Sequence, residues 1–301
     1  MNPGSKQHYD SHLAAVYSWM AGGADAAIER NRKFLEAHVG RAKAPVEPSE
    51  RGLPGRSAFA DSNAVESTQP RSADSDVPSN SSTRSDGFEA PQQEPSPCLP
   101  LAVDLGCGSG FQSIPLAEFG YRVLAVDNCP SLLAELSSHC RSLPIQPTEA
   151  DLIKFRSRLS EPAELIVCLG DTLTHLPSLE AVATLIRDIA AALAPDGRCL
   201  LGFRDYVSRE LVGEQRFIPV RSDDTRILTC FLEYHPDQVL VHDLLHERTA
   251  AGWTQRVSSY RKLRLDPAWV AERLRYTGLS IENQTVEAGM VCLLAAKPAS
   301  S

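Results

Sequence analysis

The sequence predicts an α/β fold: a mostly parallel seven-stranded sheet covered by helices on both faces, with an antiparallel β insertion after its fifth strand. Three observations predict it. Short apolar runs alternate with helical patterns between residues 101 and 203, a glycine-rich turn joins the first strand to the first helix of that series, and four β-rich runs follow it.

Residues 10 to 38 carry helical periodicity, with Leu13, Val16, Tyr17, Met20 and Ala21 on one side and a charged second half from Glu29 to Lys33. Gly22-Gly23 divides this stretch into two helices. From 45 to 97 the composition turns to Ser, Pro, Asp, Glu and Gln with almost no aliphatic residues, too little apolar surface to repay the entropy of ordering. The expected organisation is an N-terminal helical cap (1–44), a disordered linker (45–97) and a main domain (98–301). The linker reads as a passive tether, although its serines also suit regulatory phosphorylation.

In the main domain, strands are expected at 101–105, 121–126, 144–148, 164–169 and 198–203, and helices at 110–119, 130–141 and 178–193. Such alternation implies a parallel sheet with ligands beyond the carboxyl ends of its strands. The insertion, about 207–264, holds runs at 215–221, 225–235, 238–248 and 253–264, and turns at Ser222-Asp-Asp224 and His235-Pro-Asp237 separate the first three. It is placed to roof the cleft. A last helix runs from Pro267 to Tyr276 and is stopped by Gly278, and strands at 279–286 and 290–297 finish the chain.

Bulk properties exclude several function classes. The 301 residues are 43% hydrophobic and 23% charged, which suits a globular protein. A net charge of -8 argues against nucleic acid or an anionic membrane as partner and favours a small molecule or a protein. The eight cysteines show no Cys-x-x-Cys spacing and read as reduced core residues. His242 and His246 share a strand face without a third convergent ligand, so no metal is expected. Neither an apolar signal region after Met1 nor an 18-residue apolar span is present, and a cytoplasmic location is expected by default. The sequence does not define the oligomeric state.

The chemistry concentrates at the strand ends. Asp104-Leu-Gly106-Cys-Gly108-Ser-Gly110 follows the first strand, and the second ends in Asp127-Asn128. Glycines let a ligand approach the backbone, and a carboxylate at the tip of the second strand accepts from two ribose hydroxyls. Phe111 stands where a dinucleotide site needs its third glycine, and Asp104 repels a pyrophosphate but suits a cationic ligand end. A sulfonium nucleoside therefore fits better than NAD. After the third strand, Asp151 is placed to accept from an adenine amine while Leu152 packs on the ring; Asp151 as a helix N-cap is the competing reading. After the fourth strand, Gly170 allows close approach, and Asp171 and Thr172 project polar groups into the cleft.

These motifs resemble class I S-adenosylmethionine-dependent methyltransferases, and among them the glycine and glycine/sarcosine N-methyltransferases. That family places Leu-Gly-Asn-Ser-Phe-Ala-His-Leu-Pro where this chain has Leu169-Gly-Asp-Thr-Leu-Thr-His-Leu-Pro177, and His-Arg-Asn-Tyr where it has Phe203-Arg-Asp-Tyr206. The spacing Gly108-x-Gly110-x-x-Ser113-Ile is also shared. The resemblance implies a Rossmann-like seven-stranded methyltransferase sheet and S-adenosyl-L-methionine as cofactor, bound by Asp104, Gly106, Gly108, Gly110, Asp127, Asn128, Asp151, Leu152, Gly170, Asp171, Thr172 and Tyr17. It implies a small-molecule methyl acceptor, an amine or amino acid, methylated by direct in-line transfer. Arg204 would hold the acceptor's carboxylate, unless it pairs with Asp205 or Glu210; Tyr206 would form a wall, and His175 is a minor candidate for a base. Met20 replaces a family tyrosine, and Ala27 or a neighbour replaces an arginine that pairs with the cofactor, which implies an altered pocket. Two alternatives remain: a non-catalytic nucleoside-binding regulator, and an NAD(P)-dependent oxidoreductase.

Overall fold

The first strand, β1 (Leu101–Leu105), is buried along its whole length, as expected of a strand covered on both faces. It lies centrally in a seven-stranded sheet with β2 (Arg122–Asp127), β3 (Ile145–Glu149), β4 (Ala163–Cys168), β5 (Leu193–Arg204), β10 (Ser280–Glu287) and β11 (Met290–Ala296), in the order β10-β11-β5-β4-β1-β2-β3. Strands β1 to β5 pair in parallel, and β11 runs antiparallel to both β5 and β10. The strand order reverses between β1 and β4, which opens a crevice at their carboxyl ends.

This computed structural model describes residues 8–41, 99–140, 142–287 and 289–299. The linker expected at 45–97 lies outside the described residues. A helical segment, Tyr9–Met20, ends in the short α1 (Tyr17–Met20), and α2 (Ala24–His38) follows the break at Gly22 and Gly23. Helix α2 buries Ala27, Ile28 and Leu35 on one sheet face beside α3 (Ser113–Glu118) and α4 (Pro130–His139). The other face is covered by α5 (Leu179–Ala192) and α6 (Pro267–Tyr276). Helix α5 is capped by Ser178, whose Oγ accepts from Ala181 N at 3.2 Å, and buries Val182, Leu185, Ile186 and Ile189 at helical spacing. Each of these side chains contributes about 2 kcal/mol by leaving water. Asp266 caps α6 in the same way, with Pro267 opening the helix.

Strands β6 (Phe217–Ser222), β7 (Arg226–Tyr234), β8 (Gln238–Thr249) and β9 (Gly252–Leu263) form a separate antiparallel sheet in sequential order. Alternate residues Val239, Val241, Asp243 and Leu245 of β8 are buried, as are Tyr260 and Lys262 of β9. Leu13 and Val16 of the N-terminal segment pack on Leu228 and Leu245 of this sheet.

Two boundaries differ from expectation by three residues or more. Helix α3 starts at Ser113, not 110, because Gly110 to Gln112 remain in the turn. Strand β5 starts at Leu193, not 198: Leu193 already pairs with Ala163, and the chain then bulges through Asp196, at φ 60°, before Arg198 meets Leu165. No helix among the described residues is long and apolar enough to cross a membrane.

Candidate functional site

The crevice is built from the turn after β1 and the tip of β2. Gly106 N and Cys107 N both donate to Val126 O, at 2.8 and 3.1 Å, binding the turn to the neighbouring strand. The Asp127 carboxylate then joins the two loops: Oδ2 accepts from Gly108 N and Oδ1 from Cys129 N, each at 2.9 Å. Asp127 is buried at this junction and lines the crevice. A Cβ on Gly108 would stand 3.4 Å from the Tyr17 ring, so Gly108 is the floor and Tyr17 the wall opposite. Tyr17 is stacked on Phe111 with centroids 5.5 Å apart, and burial raises its phenol pKa, keeping it protonated.

Gly110 is constrained by packing. Its φ is 84°, and a Cβ there would sit 2.2 Å from Leu136 Cδ1, in the buried seam with α4. Gly110→Ala is expected to cost about 2 kcal/mol through backbone strain and overpacking, read as a lower urea midpoint at unchanged slope.

Opposite this turn, Gly170-Asp171-Thr172 forms the lip of β4, with Asp171 in the left-handed region at φ 70°. Asp171 is buried and accepts three hydrogen bonds: Oδ1 accepts from Arg204 N at 2.9 Å, and Oδ2 from Tyr206 Oη at 3.2 Å and Lys262 Nζ at 2.6 Å. Burial alone would raise the Asp171 pKa, but Lys262 and the Arg204 amide outweigh it and hold the carboxyl below its ordinary value. For Lys262, burial works downward and is outweighed by Asp171, so the ammonium stays charged. His175, next along the lip, is stacked on Tyr260 at 5.4 Å and meets the edge of Tyr9 at 5.7 Å. Burial, reinforced by Lys262, lowers its pKa to about 3.

Residues 102–197, which hold the glycine turn, Asp127 and the β4 lip, match the methyltransferase domain family. Together with the sheet order, that match decides the class. The chain carries a class I S-adenosylmethionine-dependent methyltransferase domain. It is 27% identical over 106 residues to the glycine/sarcosine N-methyltransferase of Parasynechococcus marenigrum (strain WH8102), covering 35% of this chain and 38% of that protein. It is 31% identical over 112 residues to the cypemycin N-terminal methyltransferase of a Streptomyces species, covering 37% and 44%. The matched region thus spans less than half the length of these relatives. An S-adenosylmethionine-dependent methyltransferase from Clostridium acetobutylicum ATCC 824 shares the fold at TM-score 0.58 and 16% identity, over 67% of this chain and 85% of that one.

Tyr17 of the N-terminal segment lines one cleft with Gly106, Gly108, Asp127, Gly170, Thr172 and His175 of the methyltransferase domain, joined by Tyr9, Gln112, Leu132 and Leu169. Other expected site residues stand outside that lining. Asp104 lies beneath the turn, held by Ser113 Oγ at 2.6 Å. Asn128 follows Asp127 in the loop before α4 and is half-buried. Asp151 caps the turn after β3, accepting from Ile153 N at 3.1 Å, and Leu152 is buried in the core beside Phe155. Asp171 and Tyr206 form the layer behind the lip, while the Arg204 side chain is exposed at the rim beside Gly289. Glu210, one of the alternative partners weighed for Arg204, stands 3.6 Å from Arg264.

The roof sheet supplies what the sequence reading missed. Lys262, Tyr260 and Ser258 alternate along β9 on one face; Ser258 meets His8 Nδ1 at 2.8 Å, and His8 Nε2 stands 3.0 Å from the buried Asp243. The available signal was that two-residue period, with a lysine in phase with a tyrosine. Among the described residues, no group of three or more His, Cys, Asp or Glu is arranged to hold a metal ion.

Two buried groups pull pH dependence in opposite directions. Burial raises the Asp104 pKa to about 7, so its ionisation costs stability as pH rises from the unfolded value of about 3.9 through 7. His175, lowered to about 3, costs stability as pH falls from about 6.5, because only the unfolded chain takes the proton. Asp104→Asn removes the first effect. Denaturant titrations are expected to show the variant losing stability between pH 6.5 and 4.5 more steeply than the wild type.

Proposed function

We propose that this chain is an S-adenosylmethionine-dependent methyltransferase that methylates the amine nitrogen of a small molecule. The observation that carries the reading is Asp127, whose carboxylate is locked to the glycine turn by Gly108 N and opens onto the cleft at the point where the strand order reverses. The cleft suits this donor: a carboxylate for the ribose hydroxyls, a Cβ-free floor at Gly108, apolar Leu132 and Leu169, and protonated Tyr17. We assign the adenine edge to Asp151, which follows the end of β3, where Ala150 N donates to Asp127 O at 3.0 Å and ties the ends of β2 and β3 together. The curated relatives are named for glycine/sarcosine N-methylation and cypemycin N-terminal methylation, which supports nitrogen as the methylated atom.

The bound donor supplies a methyl group made electrophilic by its sulfonium. The chain's own contribution is alignment and exclusion of water. His175, with a pKa near 3, is too weak a base to collect a proton at neutral pH; with Tyr9 it acts as a neutral wall. The acceptor amine therefore arrives deprotonated, and kcat is expected to show no ionisation of His175 between pH 5 and 9.

Thermal-shift titration with S-adenosylhomocysteine beside NAD and NADP tests the donor, because only a ligand of the folded state raises Tm. A rise with the homocysteine nucleoside alone is expected; a rise with a nicotinamide nucleotide alone contradicts the assignment. An amine panel read by mass spectrometry separates an enzyme from a nucleoside-binding regulator, which would form no methylated product.

A further inference from the structure

The roof sheet is apolar on both of its faces, and the other described residues cover one of them. The inward face is held by Leu228, Leu232, Val239, Val241, Leu245 and Tyr260, which pack with Tyr206 and with Leu13 and Val16 of the N-terminal segment. An antiparallel sheet with one wet face alternates apolar with polar residues. Strand β8 does not: Leu240 and Leu244 take outward positions between the buried Val239, Val241 and Leu245. They share that face with Ile227 and Phe231 of β7 and Val257 of β9, and the Phe231 ring lies 4.6 Å from that of Phe217 on β6. Ile227, Phe217 and Val257 are 39%, 53% and 57% exposed, far more than the inward set.

An apolar face of this extent marks an interaction surface. Four strands about 4.8 Å apart, the longest of 12 residues, span on the order of 700 Å2, close to the roughly 800 Å2 that each partner gives to a stable interface. Residues 45–97 hold three valines, one leucine and no isoleucine or methionine, too few to cover it. The charges on the face identify the occupant. One end carries Glu233, Leu240 and Arg261 side by side, the other carries Arg248 beside Trp253, and Leu244 lies midway, paired with Thr229 and Val257. A two-fold axis crossing the strands at Leu244 turns one end onto the other. Glu233 then reaches the partner's Arg248, Arg261 lies over the partner's Trp253, Phe231 meets the partner's Ile227, and Leu244 meets its own copy. Each heterologous pair forms twice, and no like charges stand directly opposite one another. A two-fold along β8 would instead set Arg248 against itself.

We infer that the outward face of the roof sheet is a dimer interface, and that its occupant is a second copy of this chain related by a two-fold axis through Leu244. The inference is independent of the donor assignment, because the cleft residues meet the inward face, where Tyr260 is stacked on His175.

Sedimentation equilibrium of the full chain tests it. A species of twice the chain mass is expected at micromolar concentration. Leu244→Glu, which sets two carboxylates against each other on the axis, is expected to raise the dimer dissociation constant at least about 100-fold. Glu233→Arg and Arg248→Glu are each expected to raise it about tenfold by placing like charges together. The double variant is expected to return to within about threefold of wild type, because the exchanged charges pair again across the axis. Far-ultraviolet circular dichroism reports that each variant is folded. A monomeric wild type overturns the inference, whether its outward face is then open, covered by residues 45–97 or taken by a different protein. A dimer that persists in Leu244→Glu overturns it as well, as does a double charge variant that dissociates more readily than either single one.

Discussion

Asp127→Ala is expected to weaken S-adenosylhomocysteine binding by at least about 100-fold in a calorimetric titration. Two ribose hydroxyls bonded to an ionised carboxylate contribute about 1.5–3 kcal/mol each, and every 1.4 kcal/mol is tenfold in affinity. The loss has a second source. Without the carboxylate, Gly108 N and Cys129 N lose their shared acceptor, so the floor of the cleft is released along with the contact. Asp127→Asn separates the two effects. An amide has one acceptor oxygen for two backbone donors, so the asparagine variant is expected to fall between wild type and alanine. Affinity within about threefold of wild type in the alanine variant would remove Asp127 from the ribose.

Asp171→Ala is expected to be the most destabilising single change, about 3–5 kcal/mol and a fall in Tm on the order of 10 °C, because it strands a buried charge. The stranded group is Lys262, and Arg204 N and Tyr206 Oη lose their acceptor with it. Adding Lys262→Met is expected to recover at least half of the loss, since the uncompensated charge is then gone. Non-recovery in the double variant would show that the ion pair is not the source. The pair also sets a pH window. The Asp171 contribution is complete above the unfolded carboxyl pKa of about 3.9 and disappears as pH falls through its lower folded value. The Lys262 contribution is complete below about 10.4 and disappears as pH rises through its higher folded value.

Much of this architecture is written locally, and those parts were legible. Apart from Asp104, strand β1 is apolar because both its faces are covered, and α6 declares its start through Asp266-Pro267 and its end through Gly278. Asp127 stands out because an apolar run that ends in a carboxylate has no packing reason to do so. The parts that were not legible depend on partners distant in sequence. Arg261-Lys262-Leu263-Arg264 looks like a solvated strand end, and Lys262 is buried only because Asp171, 91 residues away, neutralises it. Gly110 reads as a ligand-facing glycine, yet its constraint comes from Leu136 on the following helix. Arg204 follows the family motif, but only its backbone amide bonds to Asp171, while its side chain points to solvent. The bulge in β5 depends on a left-handed Asp196 that apolar patterning does not register.

The central claim is that the cleft between the glycine turn, Asp127 and the β4 lip takes a sulfonium nucleoside. A structure of the wild-type chain with S-adenosylhomocysteine tests it most directly. The account predicts one nucleoside per chain, with both ribose hydroxyls on Asp127 and the homocysteine end running past Gly106 and Gly108 toward Tyr17. A nucleoside lodged anywhere else, or a ribose that makes no contact with Asp127, would contradict it.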